Sequence, residues 1–258
     1  MNPFLNIAIQ AVRSAARLIT RSFDRLDMLQ VQEKEANDFV TQIDKLSEQE
    51  IITTIRNHYP NHAILAEESG AQAGKDEYEW IIDPLDGTTN FIHGFPHFAI
   101  SIALTRNAQL EVGVIYDPLK QELFSAVRGG GAQLDNHRIR VSKCQKMNHA
   151  LIGTGFPYKK NEYLSRYLKV FEQIFPQVAG VRRAGSAALD LAYVAAGRLD
   201  AYWEFGLSPW DMAAGILLVK EAGGFVEDVD GQSDCMSTGN VIAGNPKIFP
   251  QLAKLLRE

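Results

Sequence analysis

The sequence predicts a mixed α/β chain in which two tightly packed halves, about 1–145 and 146–258, form one unit without a linker. Three observations predict it. Residues 1–57 carry two amphipathic helical patterns, residues 98–127 alternate apolar segments with turns as an antiparallel meander does, and from residue 151 onward strand-like and helical patterns alternate.

Taken in order, Leu5, Ala8, Ile9, Val12, Ala15, Ala16 and Ile19 recur at helical spacing from residue 4 to about 26, with arginines on the opposite face. A second helix is expected after Thr41, with Ile43, Leu46, Ile51 and Ile55 on its inner stripe, Asp44 in its first turn and Pro60 just beyond its end near Asn57. The short apolar runs 63–66 and 80–82 each end in acids, the pattern of buried strands that deliver side chains at their carboxyl ends. Turns at Asn107 and at Asp117-Pro118 divide the meander, and Gly129 to Gly131 with the Asp135-Asn136 turn continue it. In the second half, strands are expected near 151–155, 178–182, 201–205 and 241–243. Helices are expected over about 162–175, 186–196 and 210–222, the last closed by Gly223-Gly224, and in a final segment ending near Leu256.

A chain of 258 residues with 46% hydrophobic content can bury a sizeable core. Its 22% charged residues and net charge of −5 argue against disorder and supply no general basic field for nucleic acid or an anionic membrane. Any bound anion therefore needs a local positive device. Two cysteines, Cys144 and Cys235, are too sparse for a disulfide framework and lead us to expect reduced thiols in a cytoplasmic protein. Residues 1–20 mix Asn2, Asn6, Gln10, Arg13 and Arg17 among apolar residues, so they lack the uninterrupted apolar stretch of a signal peptide or a membrane span.

The segment Trp80-Ile81-Ile82-Asp83-Pro84-Leu85-Asp86-Gly87-Thr88-Thr89-Asn90-Phe91 carries the most chemistry. A strand runs into two carboxylates, and Pro84 and Gly87 force a turn before a helix expected to open at Thr88 or Thr89. The N–H groups from Gly87 onward then form an anion site worth about 0.3–2 kcal/mol. On residue type alone, Asp83 and Asp86 also read as capping and turn residues. Their company favours a site: Glu67-Glu68-Ser69 closes another strand, and Asp211 opens a helix whose other residues are almost all apolar. If these acids converge, each pair at about 4 Å repels by roughly 4 kcal/mol at an effective dielectric near 20, a cost that divalent cations remove. Oxygen donors without His or Cys favour Mg²⁺, with Mn²⁺ as the alternative, and a metal pair suits phosphate-ester hydrolysis.

The run Asp83-Pro84-Leu85-Asp86-Gly87-Thr88-Thr89-Asn90-Phe91, with Glu67-Glu68-Ser69 before it and Trp210-Asp211-Met212-Ala213-Ala214-Gly215 through Glu221-Ala222-Gly223-Gly224 after it, resembles the inositol monophosphatase family over nearly the whole chain. The segment Arg182-Arg183-Ala184-Gly185-Ser186-Ala187-Ala188-Leu189-Asp190-Leu191-Ala192 and the opening Pro3-Phe4-Leu5-Asn6-Ile7-Ala8 look closest to its bacterial SuhB-type members. The resemblance implies a five-layer α-β-α-β-α sandwich and a Mg²⁺-dependent phosphatase of inositol monophosphate or a similar small polyol phosphate. It implies that Glu67, Asp83 and the Leu85 carbonyl hold a first metal, that Asp83, Asp86 and Asp211 hold a second, and that a weaker third leans on Glu67. Thr88 and Asp44 would orient the attacking water, Gly87 and Thr88 would receive the phosphate, and Glu204 with Gly185, Ser186 and Ala187 would face the polyol. Lithium sensitivity, a homodimer and association with RNA polymerase and Nus factors are further implications.

Glu204 also reads as a solvated strand-end charge, and Ser208 departs from members with a larger polar residue before the Trp-Asp pair, which leaves the polyol preference open. Lys34 reads equally as a neighbour of the site or a surface lysine. His93 and His97 read as loop or packing residues for want of a metal-spaced partner, and Gly129-Gly130-Gly131 lacks the Gly-Lys-Ser/Thr ending of a phosphate loop. Arg182 and Arg183 are solvated charges by default. A haloacid-dehalogenase-type mechanism would need a nucleophilic aspartate where Pro84 stands. Nucleotide-3′-phosphatase and sugar bisphosphatase remain alternatives with the same metal core, and a mainly non-catalytic binding protein of the transcription complex is the alternative from another class.

Overall fold

Asn2 opens the first helix: its Oδ1 accepts the N–H groups of Phe4 at 2.9 Å and Leu5 at 3.2 Å, and Pro3 takes a first-turn position where no N–H is needed. This helix, α1 (Pro3–Phe23), buries Ala8, Ala11, Val12, Ala15, Ala16 and Ile19. The computed structural model of the chain describes residues 2–26, 31–35, 38–157, 161–231 and 234–257, and for 31–35, 38–40 and 161 the backbone alone. After α1 come a short antiparallel hairpin, β1 (Val31–Glu35) and β2 (Asp38–Thr41), and then α2 (Gln42–His58), whose first turn is closed by Thr41 and Asp44.

The rest of the first half is β3 (Ala63–Ala66), β4 (Gly70–Gln72), β5 (Tyr78–Asp86), α3 (Thr88–Ile92), β6 (Ala99–Arg106), β7 (Gln109–Asp117), β8 (Glu122–Val127), β9 (Gly131–Leu134) and β10 (His137–Arg138). These strands form one sheet in the order β10-β9-β8-β7-β6-β5-β3-β4, with β3 and β5 parallel and every other pair antiparallel. Asn107 and Ala108 (φ 49° and 61°), then Asp135 and Asn136 (φ 49° and 65°), form the two-residue left-handed turns that close the β6–β7 and β9–β10 hairpins.

The second half runs β11 (Leu151–Thr154), α4 (Leu164–Ile174), β12 (Gly180–Arg182), α5 (Ala187–Ala195), β13 (Ala201–Glu204), α6 (Pro209–Glu221), β14 (Phe225–Asp228), α7 (Cys235–Thr238), β15 (Val241–Gly244) and α8 (Phe249–Arg257). Its mixed sheet has the order β12-β11-β13-β15-β14. The layers follow from which faces are apolar. Trp80, Ile82, Ile100, Ile102, Val112 and Val114 pack under α1 and α2, whereas Ile81, Ala103 and Ile115 face α5 and α6. Both faces of this sheet are thus buried, which is why the strand before Asp83 reads as an unbroken apolar run. Tyr202, Val241 and Ala243 cover the other side of α5 and α6, while Trp203 and Ile242 pack beneath α4 and α8. Helices, sheet, helices, sheet, helices make the five layers that the resemblance implies.

Four details differ from the sequence expectation. Leu46, expected on the inner stripe of α2, is exposed, because Ile43, Asp44, Ser47 and Glu48 take the buried face of its first two turns. The strand expected over 80–82 continues to Asp86, with a bulge between Asp83 and Asp86 where Pro84, which has no N–H for the ladder, is accommodated. The helix expected after Gly87 is only 5 residues long. β1, β2, β4, β14 and α7 were not expected; they are short segments with little or no apolar periodicity, and pairing with neighbours defines the strands among them.

Candidate active site

Asp83, 1% exposed, stands just before the bulge of β5, and its Oδ1 accepts the Leu85 N–H at 2.9 Å. The chain then turns at Gly87, whose φ of +98° favours glycine; a Cβ there would also come within 3.1 Å of the His97 carbonyl oxygen and 3.2 Å of that of Gly185. Helix geometry leaves the first-turn N–H groups beyond Gly87 without acceptors inside α3, so they remain donors for an anion, although 5 residues add little macrodipole. Thr88 Oγ1 lies 2.9 Å from Asp44 Oδ1 and 3.1 Å from the Leu85 carbonyl oxygen, so its one proton is shared between two acceptors. Asp44, 1% exposed, also accepts the N–H and the hydroxyl of Thr41 at 2.8 and 2.6 Å. Burial raises its carboxyl above the ordinary range, and the Thr41 and Thr88 donors oppose that shift.

The second half supplies the opposite wall. Asp86 Oδ2 accepts the Ser186 hydroxyl at 2.6 Å and the Ala188 N–H at 2.7 Å, so an acid of the first half caps α5 of the second. Capping is therefore real for Asp86, on a helix 100 residues away from it in sequence. Asn90 Nδ2 donates to the carbonyls of His97 at 2.7 Å and Ala184 at 2.9 Å, which fixes the Gly185-Ser186 turn against α3. Asp211 sits in the first turn of α6 and accepts the Ser208 N–H at 2.6 Å. Glu67 follows β3 directly, and its N–H donates to the Ile82 carbonyl at 3.2 Å.

One pocket is lined by Glu67, Asp83, Leu85, Asp86, Gly87, Thr88, Gly185, Ser186, Ala187, Glu204 and Asp211. Every site residue expected from the sequence lies on it except Asp44, which stands behind Thr88. Burial first, and then the charges of Glu67, Asp86 and Asp211, push the Asp83 carboxyl well above the usual range, so acids from three separate stretches of chain repel one another across this space. Among the described residues, no three His, Cys, Asp or Glu side chains are gathered closely enough to enclose a metal ion as they stand. Asp83, Asp86 and Asp211 each have one oxygen engaged by a backbone N–H. The donor set is nonetheless all oxygen, mutually repulsive and on one pocket, which fits hard divalent cations.

The part of the pocket around Glu204 has its own electrostatics. Burial raises the Glu204 carboxyl to about 8, the Tyr202 hydroxyl that donates to it opposes the shift, and Asp211 and Asp86 add to it. Asp190, 2% exposed on the same pocket, is pushed well above its ordinary range by burial and by Glu204 and Asp86. A Cβ at Gly155 would fall on the Glu204 carboxyl, so glycine is needed for that carboxyl to lie where it does. Asn90, Gly155, Asp190 and Tyr202 had no role assigned from sequence. Asn90 and Asp190 stood inside quoted motifs, but only the fold shows which way they face.

The remaining expectations resolve in the same way. His93 is an exposed loop residue whose Nδ1–H donates to the Thr89 carbonyl at 2.8 Å, whereas His97 is buried, packs edge-on to Tyr193 and has its pKa lowered to about 4 by burial. Gly129 and Gly131 give their N–H groups to Glu221. Arg183 reaches the pocket and lies over Phe156, with 5.4 Å from Cζ to the ring centroid, while Arg182 is exposed. The Lys34 side chain lies outside the described residues.

The model of the inositol monophosphatase family matches residues 1–258. A protein of Pseudomonas aeruginosa named Nus factor SuhB is 54% identical over 257 residues, covering 98% of this chain and 95% of that protein. The crystal structure of extragenic suppressor protein SuhB from Bartonella henselae is similar with a TM-score of 0.97 and 43% identity, covering 100% of this chain and 99% of that one. The structure of inositol monophosphatase from Anabaena (Nostoc) has a TM-score of 0.85 and 42% identity, covering 98% and 94%.

Proposed function

The chain belongs to the inositol monophosphatase family and is a phosphatase of that type, and on that premise we propose that it hydrolyses inositol monophosphate, or a similar small polyol phosphate, with Mg²⁺. One observation carries the reading: Glu67, Asp83 and Asp86 from one half and Asp211 from the other line a single pocket beside the Gly87–Thr88 turn.

Glu67, Asp83 and the Leu85 carbonyl would hold a first ion, Asp83, Asp86 and Asp211 a second, and Glu67 would lean on a weaker third; Mn²⁺ would substitute. Bound there, the ions would neutralise the phosphate ester and make water a better nucleophile. The other steps belong to the protein. The N–H groups of Gly87 and Thr88 receive the phosphate. The Thr88 hydroxyl, held by Asp44 and the Leu85 carbonyl, orients the attacking water. Glu204, backed by Tyr202 and seated on Gly155, faces the polyol hydroxyls with Gly185, Ser186 and Ala187 as the adjoining wall. Lithium would inhibit by competing for a magnesium position.

The test is Mg²⁺-dependent phosphate release from inositol 1-phosphate, glycerol 2-phosphate, fructose 1,6-bisphosphate and adenosine 3′,5′-bisphosphate. The reading expects inositol 1-phosphate to be preferred; preference for either bisphosphate moves the substrate to a sugar bisphosphatase or nucleotide-3′-phosphatase, and no release from any contradicts it. The Nus factor name of the relatives favours a second role, association with RNA polymerase and Nus factors, in a cytoplasmic homodimer-forming protein. Binding of polymerase or a Nus factor that survives Asp83→Asn would separate that role from catalysis.

A further inference from the structure

The first two turns of α2 place Asp44, Ser47 and Glu48 on one face, at 1%, 0% and 3% exposure. Between them they hold the two segments of the first half that carry the candidate site, 83–88 and 67–69. Asp44 accepts from Thr88, Ser47 Oγ donates to the Pro84 carbonyl at 3.1 Å, and Glu48 accepts the N–H groups of Glu68 at 2.7 Å and Ser69 at 2.9 Å, one on each carboxyl oxygen. Residues 67–69 form the whole turn between β3 and β4, because Ala66 pairs with Gly70. Glu48 therefore fixes this turn from behind, immediately after Glu67.

A turn fastener needs no charge. Burying a carboxyl group near other acids is costly, and its burial must be offset by strong bonds. What a carboxylate supplies and a neutral side chain does not is two acceptors at fixed spacing for two adjacent N–H groups, which sets the orientation of the turn as well as its closure. Ser47, by a single donated bond to the Pro84 carbonyl, ties down the β5 bulge that carries Asp83 and the Leu85 carbonyl.

The geometry points to Glu48, assisted by Ser47, as a positioning residue that holds Glu67 toward Asp83 before an ion arrives. This rests on the metal reading above and adds that the affinity for the ion is set partly by α2. Removing such an outer support lowers metal affinity by about 10–100-fold. Glu48→Gln is the sharp variant, because the amide keeps one acceptor and turns a donor toward the other N–H at nearly constant volume.

The experiment is a Mn²⁺ titration followed by electron paramagnetic resonance on the full chain, comparing wild type, Glu48→Gln, Glu48→Asp, Ser47→Ala and the exposed helix neighbour Gln49→Ala. The expected result is Mn²⁺ affinity lowered about 10–100-fold in Glu48→Gln, lowered less in Glu48→Asp and Ser47→Ala, and unchanged in Gln49→Ala. At saturating Mg²⁺, the KM for inositol 1-phosphate should stay near wild type while the Mg²⁺ concentration for half-maximal rate rises. Wild-type affinity in folded Glu48→Gln overturns the inference. If that variant does not fold, wild-type affinity in Glu48→Asp and Ser47→Ala overturns it. Failure of the metal reading looks different, because the wild type itself then binds no Mn²⁺, and both ideas fall together.

Discussion

Asp86 caps α5 and faces the pocket with one carboxyl group, and mutation separates the two duties. Asp86→Asn keeps an amide oxygen for the Ala188 N–H, so it should cost about 1 kcal/mol in urea unfolding, the usual size of a cap effect. Turnover should fall by at least ~100-fold, the scale seen when one charge-stabilising group is removed. An unfolded variant, or one with unchanged turnover per folded molecule, would make capping its whole role. Glu204 gives a prediction in pH. Its pKa rises from an ordinary 4.5 to about 8 on folding, so between these values the folded state holds a proton that the unfolded state has released. Its contribution to stability is full below about 4.5 and is lost as pH rises through about 8. Without added metal, urea titrations of the wild type should therefore lose stability across that window, and Glu204→Gln should flatten the loss; parallel profiles would contradict the assignment. The acids themselves were legible in the sequence because each closes or opens an element. Tyr202, Asp190 and Gly155 were not, because their effect on Glu204 depends on which face of the sheet and of α5 meets the pocket.

At the level of elements, the site depends on how closely helices approach. Gly215 of α6 faces Leu191 of α5, and a Cβ there would lie 2.5 Å from Leu191 Cβ. That atom cannot swing away by side-chain rotation, so Gly215→Ala should sit toward the upper end of the roughly 1–3 kcal/mol cost of overpacking. This exceeds the ~1 kcal/mol that alanine gains in helix propensity. A lower urea midpoint with reduced turnover is expected, since α6 carries Asp211 and α5 begins at the Ser186 cap; an unchanged midpoint would show that the helices part freely. The long helices and the meander were readable because their apolar periods, or the left-handed turns at Asn107 and Asp135-Asn136, are local. The bulge that carries β5 past Pro84 was not, since it exists only through pairing with Ser101 and Ala99 of β6. Nor was β14, where Phe225 and Glu227 are exposed and only Val226 and Asp228 turn inward.

At the scale of the molecule, α5 and α6 are shared property of the two sheets: one apolar cluster runs from Ile81 and Ile115 through these helices to Tyr202 and Ala243. Asn90 and Asp86 add polar ties across the same boundary. The layered order was legible only through the family resemblance, because periodicity shows that a helix is apolar all round but not which sheets cover it. That Glu67, Asp83, Asp86 and Asp211 line one pocket is likewise a property of the assembled halves. The most direct test of their proposed role as metal ligands is anomalous diffraction from crystals grown with Mn²⁺. The account predicts peaks within about 2.5 Å of the carboxylates of Asp83 and of Glu67, Asp86 or Asp211; well-ordered crystals with Mn²⁺ peaks only elsewhere, or with none, would contradict it.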